Sequence, residues 1–228
     1  MQIALFGGTF DPPHLGHYQV VKELLQRQVT DAVWFVPVKN HPFAKKMTAA
    51  NHRLAMLEIL VAELQNELSC SGISSSCVCH PRAGGDPDFH HPELVSGSML
   101  GLAQITIERY EIDHPSMSYS FSTLTALSQK YPQHTFSWVI GADNLAKFSE
   151  WHDYQKILQQ FSVYVYPRQG FAAQPIFPGM IYLSDFPEVN VSASEVREKW
   201  QHKQSIDNLV LPAIQDYIQQ NRLYQINN

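Results

Sequence analysis

Short apolar runs alternate along the chain with longer stretches in which apolar residues recur every three or four positions. The apolar runs predict strands at residues 3–6, 32–38, 135–140, 162–166 and 181–183. The longer spacing predicts helices at residues 14–28, 49–68, 123–130, 194–201 and 211–223. Strands that alternate with helices are typical of βαβ units. The pattern therefore predicts one α/β domain over residues 1–228, with a doubly wound, mainly parallel sheet.

Two segments depart from this alternation. Gln104 to Ile112 alternates apolar and polar residues, which predicts a half-exposed or edge strand. Residues 70–101 are rich in Ser, Gly, Pro and His and have no period, so we expect a surface insertion at about residues 73–99. This segment contains a cysteine–histidine cluster: Cys77, Cys79, His80, His90 and His91. Its spacing is not that of a zinc knuckle, so we expect an ordinary loop and no metal site.

Composition and charge narrow the class of protein. The net charge of −5, from 21 acidic and 16 basic residues, provides no general basic field for nucleic acid. No apolar run approaches the roughly 20 residues of a membrane span, and no signal peptide is evident at the N-terminus. Three cysteines fit a reducing compartment better than a disulfide framework. We expect a cytoplasmic protein without nucleic-acid or membrane partners; the sequence carries no signal of an oligomeric state.

The first strand leads into the segment with the clearest candidate chemistry. Gly7 and Gly8 are expected to turn the backbone tightly and to leave N–H groups uncovered, next to a helix N-terminus that favours phosphate. His14 and His17 are three residues apart and share one face of that helix. Imidazoles there can donate hydrogen bonds to phosphate oxygens. The alternative is a glycine-rich turn with two incidental surface histidines.

Further candidates follow other strands. Lys45 and Lys46 lie in a polar loop after the second strand, and a solvated loop is the alternative. Asp143 follows a strand and either accepts hydrogen bonds from a ribose or caps a helix. Arg53, near the start of the long helix, either assists phosphate binding or lies on the surface.

The last candidates are polar residues at helix starts and one tryptophan. Ser192, with Glu195 three residues later, predicts a capping box, and Ser194 and Arg197 together can form a phosphate clamp. Ser120 or Ser122 is expected to cap the helix at residues 123–130. Trp151 read alone is core filler.

Two strings resemble a known family. Residues 7–17, Gly-Gly-Thr-Phe-Asp-Pro-Pro-His-Leu-Gly-His, resemble the signature of the nucleotidyltransferase superfamily with a His-x-Gly-His element, in the form found in bacterial nicotinate-nucleotide adenylyltransferases. Residues 191–197, Val-Ser-Ala-Ser-Glu-Val-Arg, are similar to the second signature, Ile-Ser-x-Thr-x-x-Arg. Ser118-Tyr119-Ser120 is similar to a Ser-Tyr-Thr element of the same enzymes.

The resemblance implies transfer of an adenylyl group from ATP to nicotinate mononucleotide, giving deamido-NAD and pyrophosphate, with Mg²⁺ bridging the phosphates. The implied catalytic residues are His14, His17, Lys45 (or Lys46) and Arg197. The implied ATP contacts are Gly7, Gly8, Thr9, Phe10, His14, His17, Gly141, Asp143, Ser192, Ser194 and Arg197.

The resemblance also implies a site for the pyridine. Ser120 would help to hold the carboxylate, Trp151 would stack on the ring, and the backbone N–H of His152 would bind the carboxylate. His152 stands where many relatives have Tyr. Three alternatives remain: an adenylyltransferase for nicotinamide mononucleotide or pantetheine phosphate, a cytidylyltransferase that prefers CTP, and a non-catalytic protein that binds ATP without releasing pyrophosphate.

Overall fold

The computed structural model of the protein describes residues 1–39, 47–71, 104–114 and 119–225. The predictions for Lys45, Lys46, Ser118, the cysteine–histidine cluster and nearly all of the insertion lie outside these residues. The described strands are β1 (Gln2–Gly8), β2 (Ala32–Pro37), β3 (Gln104–Ile107), β4 (Thr135–Gly141), β5 (Ser162–Tyr166) and β6 (Met180–Tyr182). The described helices are α1 (Leu15–Gln26), α2 (Ala50–Ser71), α3 (Tyr110–Asp113), α4 (Ser120–Lys130), a 3₁₀ helix (Ala142–Glu150), α5 (Tyr154–Gln160), α6 (Ala193–Gln201) and α7 (Pro212–Gln220).

The six strands form one sheet in the order β3-β2-β1-β4-β5-β6, and every neighbouring pair is parallel. This order confirms the predicted doubly wound sheet. From β1 the chain adds β2 and β3 on one side and then β4, β5 and β6 on the other, so the strand order reverses between β1 and β4. At such a point the two flanking connections leave on opposite faces, so a crevice opens beyond the carboxyl ends of the strands.

The alternation of side chains along β1 explains why both faces of the sheet are covered. Ala4 and Phe6 contribute to a core shared with α1, α2, α6 and α7. Ile3 and Leu5 contribute to a second core on the opposite face, shared with α4, α5 and the 3₁₀ helix. Because all four residues are buried, β1 is an apolar run, as expected for a central parallel strand.

None of the described helices is long and apolar enough to cross a membrane.

The strand predicted at residues 104–112 lies at the edge of the sheet, as expected. The prediction is wrong beyond Ile107, because β3 ends there. The Glu108 N–H still donates to the carbonyl of Phe35 (2.8 Å). The Glu108 carboxylate then accepts the N–H of Tyr110 (3.0 Å) and so satisfies a free donor at the start of α3. The helical turn buries Glu111 and Ile112 together, which an alternating strand would not do.

Two local predictions near helix starts are also wrong. Gly7 and Gly8 do not form the turn, because β1 continues through Gly8 and the left-handed residue is Phe10, with φ of 47°. Gly7 is required for another reason: a Cβ there would lie 2.4 Å from Cζ2 of Trp138. Helix α4 begins at Ser120 with Tyr119 in the N-cap position, so neither Ser120 nor Ser122 is its cap.

Candidate active site

A cleft of about 620 Å³ opens at the point where the strand order reverses. Its floor is formed by the carboxyl ends of β1, β4 and β5, and its walls come from α1, α4, α6 and the 3₁₀ helix. Of the residues implied by the resemblance, it is lined by Gly7, Gly8, Thr9, His14, His17, Ser120, Gly141, Asp143, Trp151, His152 and Ser192. The topology therefore brings together residues from five separate parts of the chain.

His14 and His17 form a stacked pair at the start of α1. Their ring centroids lie 3.7 Å apart with an angle of 26° between the planes. His14 occupies the N-cap position, and its backbone N–H donates to Nδ1 of His17 (3.1 Å). Because Nδ1 of His17 accepts a hydrogen bond, the neutral ring carries its proton on Nε2. Phe10 supports His17 edge-on, with the centroids 4.9 Å apart.

Burial keeps both imidazoles neutral. It lowers the pKa of His17 from 6.5 to about 3, with a further contribution from the charge of Arg168. The pKa of His14 is lowered well below 6.5, first by burial and then by His17 and Arg168. At neutral pH the pair therefore presents N–H dipoles rather than positive charges. A bound anion would favour the protonated form and reverse part of this shift.

Arg168 is a site residue that the sequence patterns did not reveal. Its Nε lies 3.4 Å from Oδ1 of Asp143, and its Nη2 donates to the carbonyl of Val191 (3.2 Å). The two side chains converge over Gly141, where a Cβ would lie 2.3 Å from Asp143 Oδ1 and 2.6 Å from Arg168 Cδ. The available signal was an arginine two residues after a buried strand, at the edge of the sheet where ligands bind.

Asp143 lies in the first turn of the 3₁₀ helix and not at its N-cap, which is Gly141. The capping alternative for Asp143 is therefore wrong. Beneath the ion pair, burial raises the pKa of Tyr166 to about 12, so its hydroxyl remains protonated. At this end of the cleft, the ion pair of Arg168 and Asp143 therefore lies close to a neutral hydroxyl.

Aromatic residues form the other end of the cleft. The rings of Tyr119 and His152 stack with their centroids 4.5 Å apart. Trp151 is half-buried and packs against Phe148, with centroids 5.1 Å apart, while it still lines the cleft. Trp151 therefore contributes both to the core and to the cleft. Glu111, whose carboxylate accepts a hydrogen bond from Thr123 Oγ1 (2.6 Å), is also among the lining residues.

The second signature lies at the start of α6, on the opposite wall. Ser192 is the N-cap and its hydroxyl accepts the N–H of Glu195 (3.2 Å), as predicted. The other half of the predicted capping box is wrong, because the Glu195 carboxylate pairs with Lys199 (2.9 Å). Arg197 donates from Nη2 to Ser194 Oγ (3.2 Å), which confirms that the two side chains share a face.

Arg197 also reaches the loop after β1. Its Nη1 donates to the carbonyl of Asp11 (2.5 Å), so the two signatures meet. Ser194, Arg197 and Phe10 do not line the cleft, although the resemblance implies ATP contacts for them. Phe10 is 1% exposed and lies beneath the histidines.

Arg53 neither lies on the surface nor faces the cleft, so both interpretations of it were wrong. It is 2% exposed and donates to the carbonyls of Thr9 (2.7 Å), Val38 (2.8 Å) and Thr48 (3.0 Å). Its guanidinium therefore satisfies backbone carbonyls around the loop that follows β1.

Residues 5–199 match the model of the cytidylyltransferase-like family. The chain belongs to this family. Among curated members, it is 26% identical over 226 residues to the Bacillus subtilis nicotinate-nucleotide adenylyltransferase, with 98% of each chain covered. It is 28% identical over 224 residues to a Bacillus licheniformis protein named probable nicotinate-nucleotide adenylyltransferase, again with 98% of each chain covered.

A solved structure of nicotinic acid mononucleotide adenylyltransferase from Plasmodium falciparum, in complex with NaAD, is similar to this chain in fold. That structure matches with a TM-score of 0.70 and 20% identity and covers 98% of this chain and 97% of its own. This likeness establishes the fold. The family model and the curated relatives confirm the resemblance carried by the two signatures.

Proposed function

We propose that the protein is a nicotinate-nucleotide adenylyltransferase, which joins nicotinate mononucleotide to ATP in NAD biosynthesis. One observation carries the proposal: a single cleft has phosphate-binding chemistry at one end and stacked aromatic rings at the other. Curated relatives named for this activity align over nearly the whole chain. Because ATP is the second substrate, we expect the reaction to take place in the cytoplasm.

In the proposed reaction a phosphate oxygen of nicotinate mononucleotide attacks the α-phosphorus of ATP. A new P–O bond forms while the bond between the α-phosphorus and the oxygen that bridges it to the β-phosphorus breaks. Pyrophosphate leaves with that electron pair. No covalent enzyme intermediate is needed, so the protein contributes positioning and charge stabilisation.

His17 is placed to stabilise this transfer as a hydrogen-bond donor. Its Nδ1 is occupied by the His14 N–H, so the donor that remains is Nε2–H. A pre-oriented donor stabilises charge that develops in the transition state without reorganising. As negative charge builds on the phosphate oxygens, proton affinity at His17 rises and the hydrogen bond strengthens.

Cations would bind the rest of the phosphate chain. Arg168 and Asp143 lie next to Gly141, where we propose that the arginine contacts phosphate and the carboxylate accepts ribose hydroxyls. We propose that Arg197, with Ser192 and Ser194 at the start of α6, holds the departing pyrophosphate together with Lys45 or Lys46. The backbone of residues 7–10 would approach the nucleotide at the end of β1.

The aromatic end would hold the pyridine ring. Trp151 offers its ring for stacking, and Ser120 with the backbone N–H of His152 would bind the carboxylate.

Mg²⁺ would reach the site with the nucleotide. Within the described residues no three His, Cys, Asp or Glu side chains are grouped so that they could hold a metal ion, and Asp143 is paired with Arg168. The donors present therefore fit a metal that is bound mainly by substrate phosphates and water. When bound, the ion would neutralise charge on the triphosphate.

A substrate panel tests the proposal. Pyrophosphate release is measured with ATP and, in turn, nicotinate mononucleotide, nicotinamide mononucleotide and pantetheine phosphate, and then with CTP in place of ATP. We expect release with ATP and nicotinate mononucleotide, and formation of deamido-NAD. Preference for the amide, for pantetheine phosphate or for CTP would support the corresponding alternative. ATP binding without release would support the non-catalytic one.

A further inference from the structure

Asp11 connects three distant parts of the chain to the loop that follows β1. It is 4% exposed, and each of its three oxygens that can accept a hydrogen bond has a different partner. Oδ1 accepts the hydroxyl of Tyr224 (2.7 Å), Oδ2 accepts the N–H of Thr48 (2.9 Å), and the carbonyl accepts Nη1 of Arg197 (2.5 Å). The position of this loop therefore depends on contacts from the far end of the sequence.

Tyr224 is itself held by the residues around it. The indole N–H of Trp200 donates to the carbonyl of Leu223 (3.1 Å), and the Leu223 N–H donates to the carbonyl of Ile218 (3.0 Å). Arg222 and Tyr224 have φ of 51° and 58°, in the left-handed region that non-glycine residues rarely adopt. Such a backbone persists where the surrounding contacts determine it. The tail after α7 is thus fixed in the position that brings its hydroxyl to Asp11.

In its contact with Asp11 the Tyr224 hydroxyl is the hydrogen-bond donor. Burial and the adjacent Asp11 carboxylate raise the pKa of Tyr224, so its hydroxyl stays protonated and donates. Hydrogen bonds to a charged acceptor are stronger than neutral ones. Arg53 and Arg197, which also contact this loop, supply the positive charge that accompanies the buried carboxylate.

We propose that Tyr224 is a positioning residue for adenylyl transfer: through Asp11 it fixes the loop after β1 and, with it, the stacked pair of His14 and His17. This inference rests on the proposed function. The link between Asp11 and His14 is only Pro12-Pro13, whose rings fix φ, so a displacement of Asp11 is passed on to His14. A misplacement of about 1 Å can cost about 100-fold in rate.

Tyr217 provides a matched control. It also lies near the C-terminus, and its hydroxyl lies 3.0 Å from Nδ1 of His52 in α2. Tyr217 therefore connects α7 to α2, whereas Tyr224 connects the segment after α7 to the loop that follows β1. The partner of Tyr217 lies in a helix and not in that loop. Removal of either hydroxyl deletes one contact of the C-terminal region. Only Tyr224→Phe deletes a contact of the loop.

The kinetic test compares Tyr224→Phe, Tyr217→Phe and Asp11→Ala, and the double variant of Tyr224→Phe with Asp11→Ala, because alanine leaves no side-chain acceptor for the Tyr224 hydroxyl. We expect Tyr224→Phe to lower kcat about 10- to 100-fold, with KM for nicotinate mononucleotide within about threefold of the wild type. Tyr217→Phe should change kcat by less than about twofold, and Tyr224→Phe should have little further effect in the Asp11→Ala background. Equal loss in both tyrosine variants, loss in neither, or additive effects of the two changes in the double variant would overturn the proposal.

Amide hydrogen exchange gives a readout that does not depend on catalysis. The peptide that covers residues 8–17 should exchange at least about tenfold faster in Tyr224→Phe than in wild type, and at the wild-type rate in Tyr217→Phe. If the wild type forms no dinucleotide, the proposed function fails. The exchange rates then still decide whether Tyr224 fixes the loop, because unchanged protection in Tyr224→Phe would overturn that claim.

Discussion

Acidification should destabilise the fold through the pair of His14 and His17, and His17 allows the size of this effect to be worked out. Its pKa is about 3 in the folded protein against an ordinary 6.5 in the unfolded chain. Between pH 6.5 and 3 the unfolded chain binds a proton at His17 that the folded protein does not bind. Stability is therefore fully present above pH 6.5 and is lost as the pH falls towards 3.

A shift from pH 7.5 to 5.0 crosses about 1.5 units of this window, so His17 should account for about 2 kcal/mol of lost unfolding free energy. His14, whose pKa is also lowered by burial, adds a loss in the same direction. The measurement is urea-induced unfolding at the two pH values, for wild type and His17→Asn. The amide oxygen of Asn can still accept the His14 N–H, so the variant removes the titration with little change in packing.

We expect the loss between pH 7.5 and 5.0 to be smaller by about 2 kcal/mol in His17→Asn than in wild type. His202→Asn is the control for replacing a histidine by asparagine, since that side chain is exposed. Identical pH dependence in wild type and His17→Asn would refute the reasoning that burial keeps His17 neutral.

Three further predictions concern single residues that line the cleft. His17→Ala should lower turnover about 100- to 1,000-fold while the circular dichroism spectrum stays that of the wild type, and unchanged turnover would remove its assigned role. Gly7→Ala should cost about 1–3 kcal/mol in thermal or urea unfolding, because the new Cβ would lie 2.4 Å from Trp138, and a stability equal to that of wild type would contradict so close an approach. Arg168→Gln should weaken ATP binding about 10-fold or more in calorimetry, since it removes the cation next to Asp143, and unchanged affinity would exclude a phosphate contact.

The βα unit at the N-terminus could be predicted from the sequence because local and global signals agree there. A buried apolar strand, a loop and an amphipathic helix each have their own pattern, and His14 and His17 lie at the junction. The second signature could be predicted equally well, since Ser192 caps α6 through a hydrogen bond from the residue three positions later in the sequence. In the folded chain the two signatures meet through the hydrogen bond from Arg197 to the carbonyl of Asp11.

Other features depend on contacts that local patterns do not encode. The Glu108 carboxylate ends β3 and begins α3, although alternation alone continues the strand to Ile112. Arg168 gave only a weak signal, because its role depends on β4 and β5 lying side by side. The contact of Tyr224 with Asp11 spans 213 residues of sequence and could be found only in the folded chain.

A crystal structure with a non-hydrolysable ATP analogue would decide whether the stacked histidines bind the phosphate chain. We predict that an α-phosphate oxygen lies about 2.7–3.2 Å from Nε2 of His17, with the triphosphate between the carboxyl ends of β1 and β4. A triphosphate bound away from the stacked histidines, for example on the open surface between α6 and α7, would contradict this role of the pair.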